Sequence, residues 1–372
     1  MKPHRQKFGM IAALGALALT LAACGSDDPT GDATTDPTTD AEQGTSTESL
    51  SGDLVGAGAS SQESAMAAWV AGFQAANPDV TISYDPVGSG GGRTQFTEGA
   101  TDFGGTDAAL DEDEWALAET RCEPGTAAEL PLYISPIAVA FNLPGVDSLN
   151  MSAETIAKIF NGEITSWDAP EIADANPDVE LPALAITPVN RSDESGTTKN
   201  FTEYLAAAAA GAWPHEASGD WPVSGTQSAQ GTSGVIQTTQ SAEGAITYAD
   251  ASKVGALGTV AVKVGEEYVP YSPEAAAAVV DASPLAEGRA ETSLVRELER
   301  DTTASGVYPI VLVSYTMACT QYADAETGAL VKAFLTYMAS EEGQQAAADA
   351  AGSAPISADM RAAVMEIVDA IA

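Results

Sequence analysis

Two apolar, β-branched runs, Leu132 to Phe141 and Tyr308 to Met317, read as buried strands and lie far apart in the chain. The stretch between them is large enough to be a domain. It holds a helix over 153–160, a Trp167-Asp168 turn, a helix over 198–210, and a run from Gly234 to Gln240 leading into Ala245-Ile246-Thr247-Tyr248. A chain that leaves one buried strand and returns through another after a domain-sized excursion has its middle part inserted into an outer part. Short strands alternating with helices on both sides predict two α/β units. Thr327 to Ala350 and Ala358 to Ile371 read as two Ala-rich helices closing the outer one. No repeat of 20 to 50 residues is present.

The chain has 372 residues, with 15 Lys and Arg against 53 Asp and Glu, a formal charge of −38. Binding to nucleic acid or to an anionic membrane surface is excluded on that balance. Lys2, Arg5 and Lys7 precede an apolar run from Phe8 to Ala23 that ends in Leu21-Ala22-Ala23-Cys24. A basic start, a short apolar core and small residues before a cleavage point mark an export signal over residues 1–23, too short and wrongly flanked for a spanning helix. The final four residues resemble the bacterial lipobox, which implies cleavage before Cys24 and lipid attachment to its sulfur. Residues 24–50 follow as a tether of Gly, Ser, Thr, Asp, Pro and Glu with almost nothing to bury. Its flexible-chain reach is about 25 to 30 Å.

Removing the signal also removes His4 and leaves His215 as the one histidine. No Gly-x-Ser-x-Gly elbow surrounds Ser89, Ser195 or Ser233, so a serine hydrolase lacks its motif. Metal-assisted hydrolysis lacks a ligand cluster, and no metal or cofactor is expected. Cys122 and Cys319 remain as a pair in an exported chain, where a structural disulfide is favoured over two buried thiols.

The stretch with most chemical content is Thr187 to Phe201, with Arg191, Ser192, Asp193, Glu194, Ser195, Gly196 and Thr197 at its centre. It reads as a strand end carrying a guanidinium, a polar turn, and a helix opened by Ser-Gly-Thr. Unpaired backbone N–H groups at a helix start, with hydroxyls and an arginine beside them, suit an oxyanion. Two further turn-to-helix segments carry Gly56-Ala57-Gly58-Ala59-Ser60-Ser61 and Gly88-Ser89-Gly90-Gly91-Gly92. Ser60 and Glu63 have capping-box spacing, which predicts Ser60 as the cap of a helix through Phe73. Asp107, ending the strand Thr101 to Thr106, reads on its own as a turn residue or as the cap of the acidic helix starting at Asp111.

In chain order, Gly56 to Ser60, Gly88 to Gly91, Asp102-Phe103-Gly104 with Asp107, and Arg191 to Thr197 resemble the solute-binding proteins of bacterial phosphate-specific ABC transporters. Supporting matches are Ile159-Phe160-Asn161-Gly162-Glu163-Ile164 before Trp167-Asp168, Asn176-Pro177 before Leu181-Pro182, and Gly244 to Tyr248. The resemblance covers roughly residues 53–365. It implies an α/β, two-lobed periplasmic-binding-protein fold of type II, with two strands as hinge. Residues 51–139 and 314–372 would form lobe 1, and residues 140–313 lobe 2. It implies inorganic phosphate as ligand, with Ser60, Ser61 and Ser89 donating from one side. Arg191, Ser195, Gly196 and Thr197 would close from the other, and Asp193 would hold the guanidinium of Arg191. Asp107 would accept the proton of phosphate, which fully ionised sulfate cannot offer. The remaining expectations are an ABC permease as partner, a monomer, and an extracytoplasmic place on the outer face of the membrane. Where relatives often carry Thr and an aromatic residue, this chain has Ser60 and Ser61. The rival readings are another oxyanion (sulfate, molybdate or an organic phosphate) and, in the enzyme class, a secreted phosphatase or hydrolase.

Overall fold

A computed structural model describes residues 50–372; the signal, Cys24 and all but the last residue of the tether lie outside the described residues. The outer unit opens with β1 (Gly52–Gly58), α1 (Glu63–Ala76), β2 (Val80–Asp85), α2 (Ser89–Thr97), β3 (Phe103–Thr106) and α3 (Glu112–Cys122). Strand β1 pairs parallel with β2 on one side and β3 on the other. Each strand therefore ends at the same edge and each following helix starts there, which gathers the first turns of α1 and α2 beside the end of β3.

The long strand β4 (Ala127–Phe141) then carries the chain across. It is buried along its whole length, an apolar run interrupted by Glu129 and Ser135. The inserted unit contains β5 (Ser148–Met151), α4 (Ala153–Phe160), α5 (Pro170–Ala173), β6 (Thr187–Arg191), α6 (Gly196–Ala208), β7 (Gln227–Ala229), α7 (Gly231–Ser241) and β8 (Ala245–Asp250). It closes with β9 (Gly258–Val264), β10 (Glu267–Val269) and α8 (Pro273–Ala282). The return strand is β11 (Val311–Cys319), followed by α9 (Ala325–Ala339), α10 (Glu341–Ala351) and α11 (Ala358–Asp369).

The main strand order is β2-β1-β3-β11-β4-β8-β6-β7, with β5, β9 and β10 attached through β9. Strand β4 pairs antiparallel with β11 from Ala127 to Pro136, and with β8 from Ile137 to Phe141. One strand thus belongs to both halves of a curled sheet, and the exchange of partner falls between Pro136 and Ile137. The fold is the two-lobed α/β arrangement of type II periplasmic binding proteins, hinged on β4 and β11.

Each lobe has its own aromatic centre. In the first, Phe73, Phe103 and Phe334 pack edge to face, and buried Trp69 donates from Nε1 to the Gly343 carbonyl at 2.7 Å. In the second, Phe201, Tyr248 and Trp221 stack, with the Phe201 and Tyr248 rings 4.4 Å apart, and Phe160 meets all three edge-on. The disulfide Cys122–Cys319 joins the end of α3 to the end of β11, within the first lobe.

Three expectations change. The helix expected over 327–350 is two helices, because Ser340 ends α9 with ψ of 161° and its hydroxyl accepts from the Gly343 N–H at 3.0 Å to cap α10. Alanine content hides such a break, since both sides have high helix propensity. The Ser60 cap does not form: α1 starts at Glu63 after Gln62, without a side-chain cap. Asp107 caps nothing either, because Asp111 makes its own capping box with Glu114 at the start of α3. The segment after α8 also reaches the first lobe. Arg289, Thr292, Ser293 and Leu294 hydrogen-bond to Leu110, Ala127 and Glu129 of the first lobe.

Candidate anion site at the lobe interface

The residues singled out in the sequence converge where the helix starts of the two lobes face each other. From the first lobe, Ser60 and Ser61 stand between β1 and α1, Ser89 is the first residue of α2, and Asp107 follows β3. From the second, Arg191 ends β6, Ser195 caps α6 by accepting from the Thr198 N–H at 3.2 Å, and Gly196 and Thr197 begin that helix. Each of Ser60, Ser61, Ser89, Asp107, Arg191, Ser195 and Thr197 is at least 95% buried.

Asp107 is the centre of the cluster. Ser61 donates from Oγ to its Oδ1 at 2.7 Å, and Thr197, from the opposite lobe, donates from Oγ1 to its Oδ2 at 3.1 Å. Its backbone N–H donates to Ser89 Oγ at 3.2 Å. The Ser314 hydroxyl on hinge strand β11 lies close by without hydrogen-bond geometry. Burial pushes this carboxyl up from the ordinary aspartate range; the surrounding hydroxyls and the Arg191 charge pull it down by less. No cation forms an ion pair with it among the described residues. A buried carboxylate held only by hydroxyls has acceptor capacity left over, which suits a partner that brings its own proton.

Arg191 is oriented by Asp193, which takes Nε at 2.8 Å and also Nη2. This two-point grip fixes the guanidinium plane and leaves its other edge for the cleft. The Arg191 charge holds the Asp193 carboxyl below its usual range against the opposing effect of burial. Tyr248 braces the same turn: its hydroxyl accepts from the Arg191 N–H at 3.3 Å and shares a hydrogen bond of 2.8 Å with Thr198 Oγ1. Gly196 is set by space, because a Cβ there would lie 2.6 Å from Ser89 Oγ and 2.7 Å from Asp107 Cβ. Only glycine lets the start of α6 approach the first lobe so closely.

Ser60 takes a different partner from the rest. It accepts from the Thr232 N–H at 3.0 Å, and the two hydroxyls are 3.1 Å apart. Thr232 opens α7, whose Gly231 N–H donates to Asp193 Oδ1 at 3.0 Å. A fourth helix start therefore borders the cluster, one that the sequence reading missed. Its signal is Gly231-Thr232-Ser233, which repeats the helix-opening chemistry of Ser195-Gly196-Thr197 just ahead of the run from Gly234 to Gln240.

Asn200 and Arg300 support the far side of Asp107. The Asn200 amide donates to the carbonyls of Asp107 and Gly196 at 2.7 and 2.8 Å. It accepts from the buried Arg300, which also donates to the Val311 carbonyl on β11 at 2.7 Å. A cavity of about 510 Å³ lies beside this relay, lined in part by Asp107, Asn200, Arg300 and Tyr315. His215 sits apart, with Nε2 against Asn161 Oδ1 at 2.9 Å and its ring against Trp213, in contact with none of the site residues.

Residues 33–342 match the PBP superfamily domain. The chain is 36% identical over 341 residues to the phosphate-binding protein PstS 3 of Mycobacterium tuberculosis, covering 88% of this chain and 90% of that one. It is 35% identical over 327 residues to the phosphate-binding protein PstS 2 of the same organism, with coverages of 86% and 87%. Among solved structures it resembles a high-affinity periplasmic phosphate-binding protein with phosphate bound at pH 8.5, with a TM-score of 0.69 at 20% identity, covering 85% of this chain and 93% of that one. At that identity over most of both chains, this chain belongs to the PstS family of phosphate-binding proteins, within the PBP superfamily.

Proposed function

We propose that this protein captures inorganic phosphate outside the cytoplasm and delivers it to an ABC permease for uptake. The observation that carries the reading is the buried Asp107 carboxylate, placed between hydroxyl donors of both lobes and across from the oriented Arg191. Ser60, Ser61 and Ser89 would donate from the first lobe. Arg191, Ser195, Gly196 and Thr197 would complete the shell from the second, with Asp193 holding Arg191. Three of the contributing helix starts each present about half a positive charge, and the guanidinium adds directed charge-assisted bonds. Local donors of this kind bind an anion on a chain whose net charge repels it.

Asp107 supplies the selectivity. A phosphate that keeps one proton at neutral pH donates it to the carboxylate, whereas sulfate has none and leaves the carboxylate unpaired and repelled. This is binding without turnover, and the chain is not an enzyme, in keeping with relatives that are named phosphate-binding proteins. The hinge on β4 and β11 would let the first lobe, residues 51–139 and 314–372, part from the second, residues 140–313, to admit and release the anion. Lipid on Cys24 would hold a monomer near the membrane through the 24–50 tether.

A crystal structure grown with phosphate tests the assignment. Density for a tetrahedral anion within hydrogen-bond distance of Ser89, Asp107, Arg191 and Thr197 is the expected result. An anion bound elsewhere, with this cluster unchanged, would overturn it.

A further inference from the structure

Glu194 lies between the two residues most concerned with the anion, Asp193 and Ser195, yet it faces away from both. Its backbone carbonyl accepts from the Gly90 N–H of the opposite lobe at 3.4 Å. Its side chain lies over the glycine turn that opens α2. A Cβ at Gly90 would fall 2.1 Å from Glu194 Oε2, and one at Gly219 would fall 2.0 Å from Oε1, so the carboxylate occupies a slot that two glycines leave open. At the end of that slot stands Arg93 of α2, 7% exposed, with Nη2 3.1 Å from Glu194 Oε2.

The same guanidinium holds two other elements of the first lobe. Its Nε donates to Glu114 at 2.9 and 3.0 Å, and its Nη1 donates to Thr106 Oγ1 at 3.2 Å. Thr106 directly precedes Asp107, and its hydroxyl ties the turn by donating to the Ala108 carbonyl at 2.6 Å. Arg93 is thus fixed within its own lobe, and Glu194 is its contact with the other. The pair spans the cleft a few residues from the anion cluster, and neither side chain is needed to hold the anion.

We propose that Arg93 and Glu194 form an ion-pair clasp across the cleft that slows lobe opening and so sets how long phosphate is retained. The proposal rests on the phosphate reading above. Closing the lobes brings Glu194, its side chain still 34% exposed, onto the buried Arg93 guanidinium and gives the pair its strength; opening them returns both groups to water and loses it. A clasp of this kind changes the release rate more than the association rate, because it forms after encounter.

Glu194→Gln is the sharpest test, since it removes the charge and keeps the shape that fills the glycine slot. Two measurements read it: phosphate release by stopped-flow displacement, and the interlobe distance of the phosphate-free protein by pulsed electron resonance. For the second, spin labels replace Leu117 on α3 and Lys263 on β9, one on each lobe. The clasp predicts roughly tenfold faster release in the variant, with association changed much less, and a distance distribution shifted toward longer separations. In a wild type that binds phosphate, absence of either shift overturns the clasp. Slower release would also overturn it, showing Glu194 to be a source of repulsion. If the wild type binds no phosphate, the phosphate reading fails, and the distance distribution alone decides whether the clasp exists.

Discussion

Under the proposed phosphate reading, the two halves of the cleft would hold an anion in opposite ways. The second-lobe half is charged and stiff. Arg191 is gripped at two points by Asp193, its backbone is held by Tyr248, and Ser195 is a true helix cap. The first-lobe half has no cation at the site: it offers three serines, backbone donors and a carboxylate, Asp107, whose charge opposes the ligand's. On the proposed reading, one side would supply attraction and the other discrimination. Across the set, one guanidinium stands against two carboxylates, so affinity has to come from oriented donors that need no rearrangement when the anion arrives, and not from net charge.

The largest expected effect attacks the discriminating half. Asp107→Asn removes the charge and adds an amide donor, so the ratio of phosphate to sulfate affinity should collapse, by about a thousandfold out of the 10⁴ to 10⁵ that such sites reach. Competitive binding of the two anions to the variant measures it; a ratio that stays unchanged would break the division of labour between the lobes. On the attracting half, Arg191→Ala should weaken phosphate by about 3 kcal/mol while leaving its preference over sulfate largely in place. Loss of selectivity from that variant, in the same assay, would mean that the two halves do not have separate roles.

The smallest effect compares two serines that look alike in sequence. Ser195→Ala removes the α6 cap and should lower the unfolding free energy by about 1 kcal/mol in denaturant titration of the phosphate-free protein. Ser60→Ala removes no cap of its own helix but leaves the buried Thr232 N–H without its acceptor, so it should cost at least as much, about 1 to 2 kcal/mol. A negligible loss for Ser60→Ala would say that the Thr232 N–H does not depend on that acceptor.

That pair also marks how far the sequence could be read. The Ser195-Gly196-Thr197 helix start was legible because cap, turn and helix lie in one contiguous stretch. Ser60 carries capping-box spacing just as clearly, but its hydroxyl is satisfied by Thr232, 172 residues away, and local spacing has no access to such a partner. Helix α4, over Ala153–Phe160, follows from local pattern with its limits intact. The crossing strands were visible as buried apolar runs, although the switch of β4 from β11 to β8 at Pro136 depends on pairing that no single run encodes. The ties of residues 289–294 to Glu129 and Leu110 were hidden for the same reason. Asp107 is the instructive case. Alone it read as a turn or cap, the resemblance gave it a ligand, and the fold surrounds it with hydroxyls from both lobes and buries it.

The central claim is that a carboxylate selects the anion by its proton. Isothermal calorimetry on the wild-type protein, stripped of endogenous ligand and titrated separately with phosphate and sulfate at neutral pH, tests that claim most directly. Tight binding of phosphate with no measurable heat from sulfate is the predicted result, and tight binding of sulfate would contradict it.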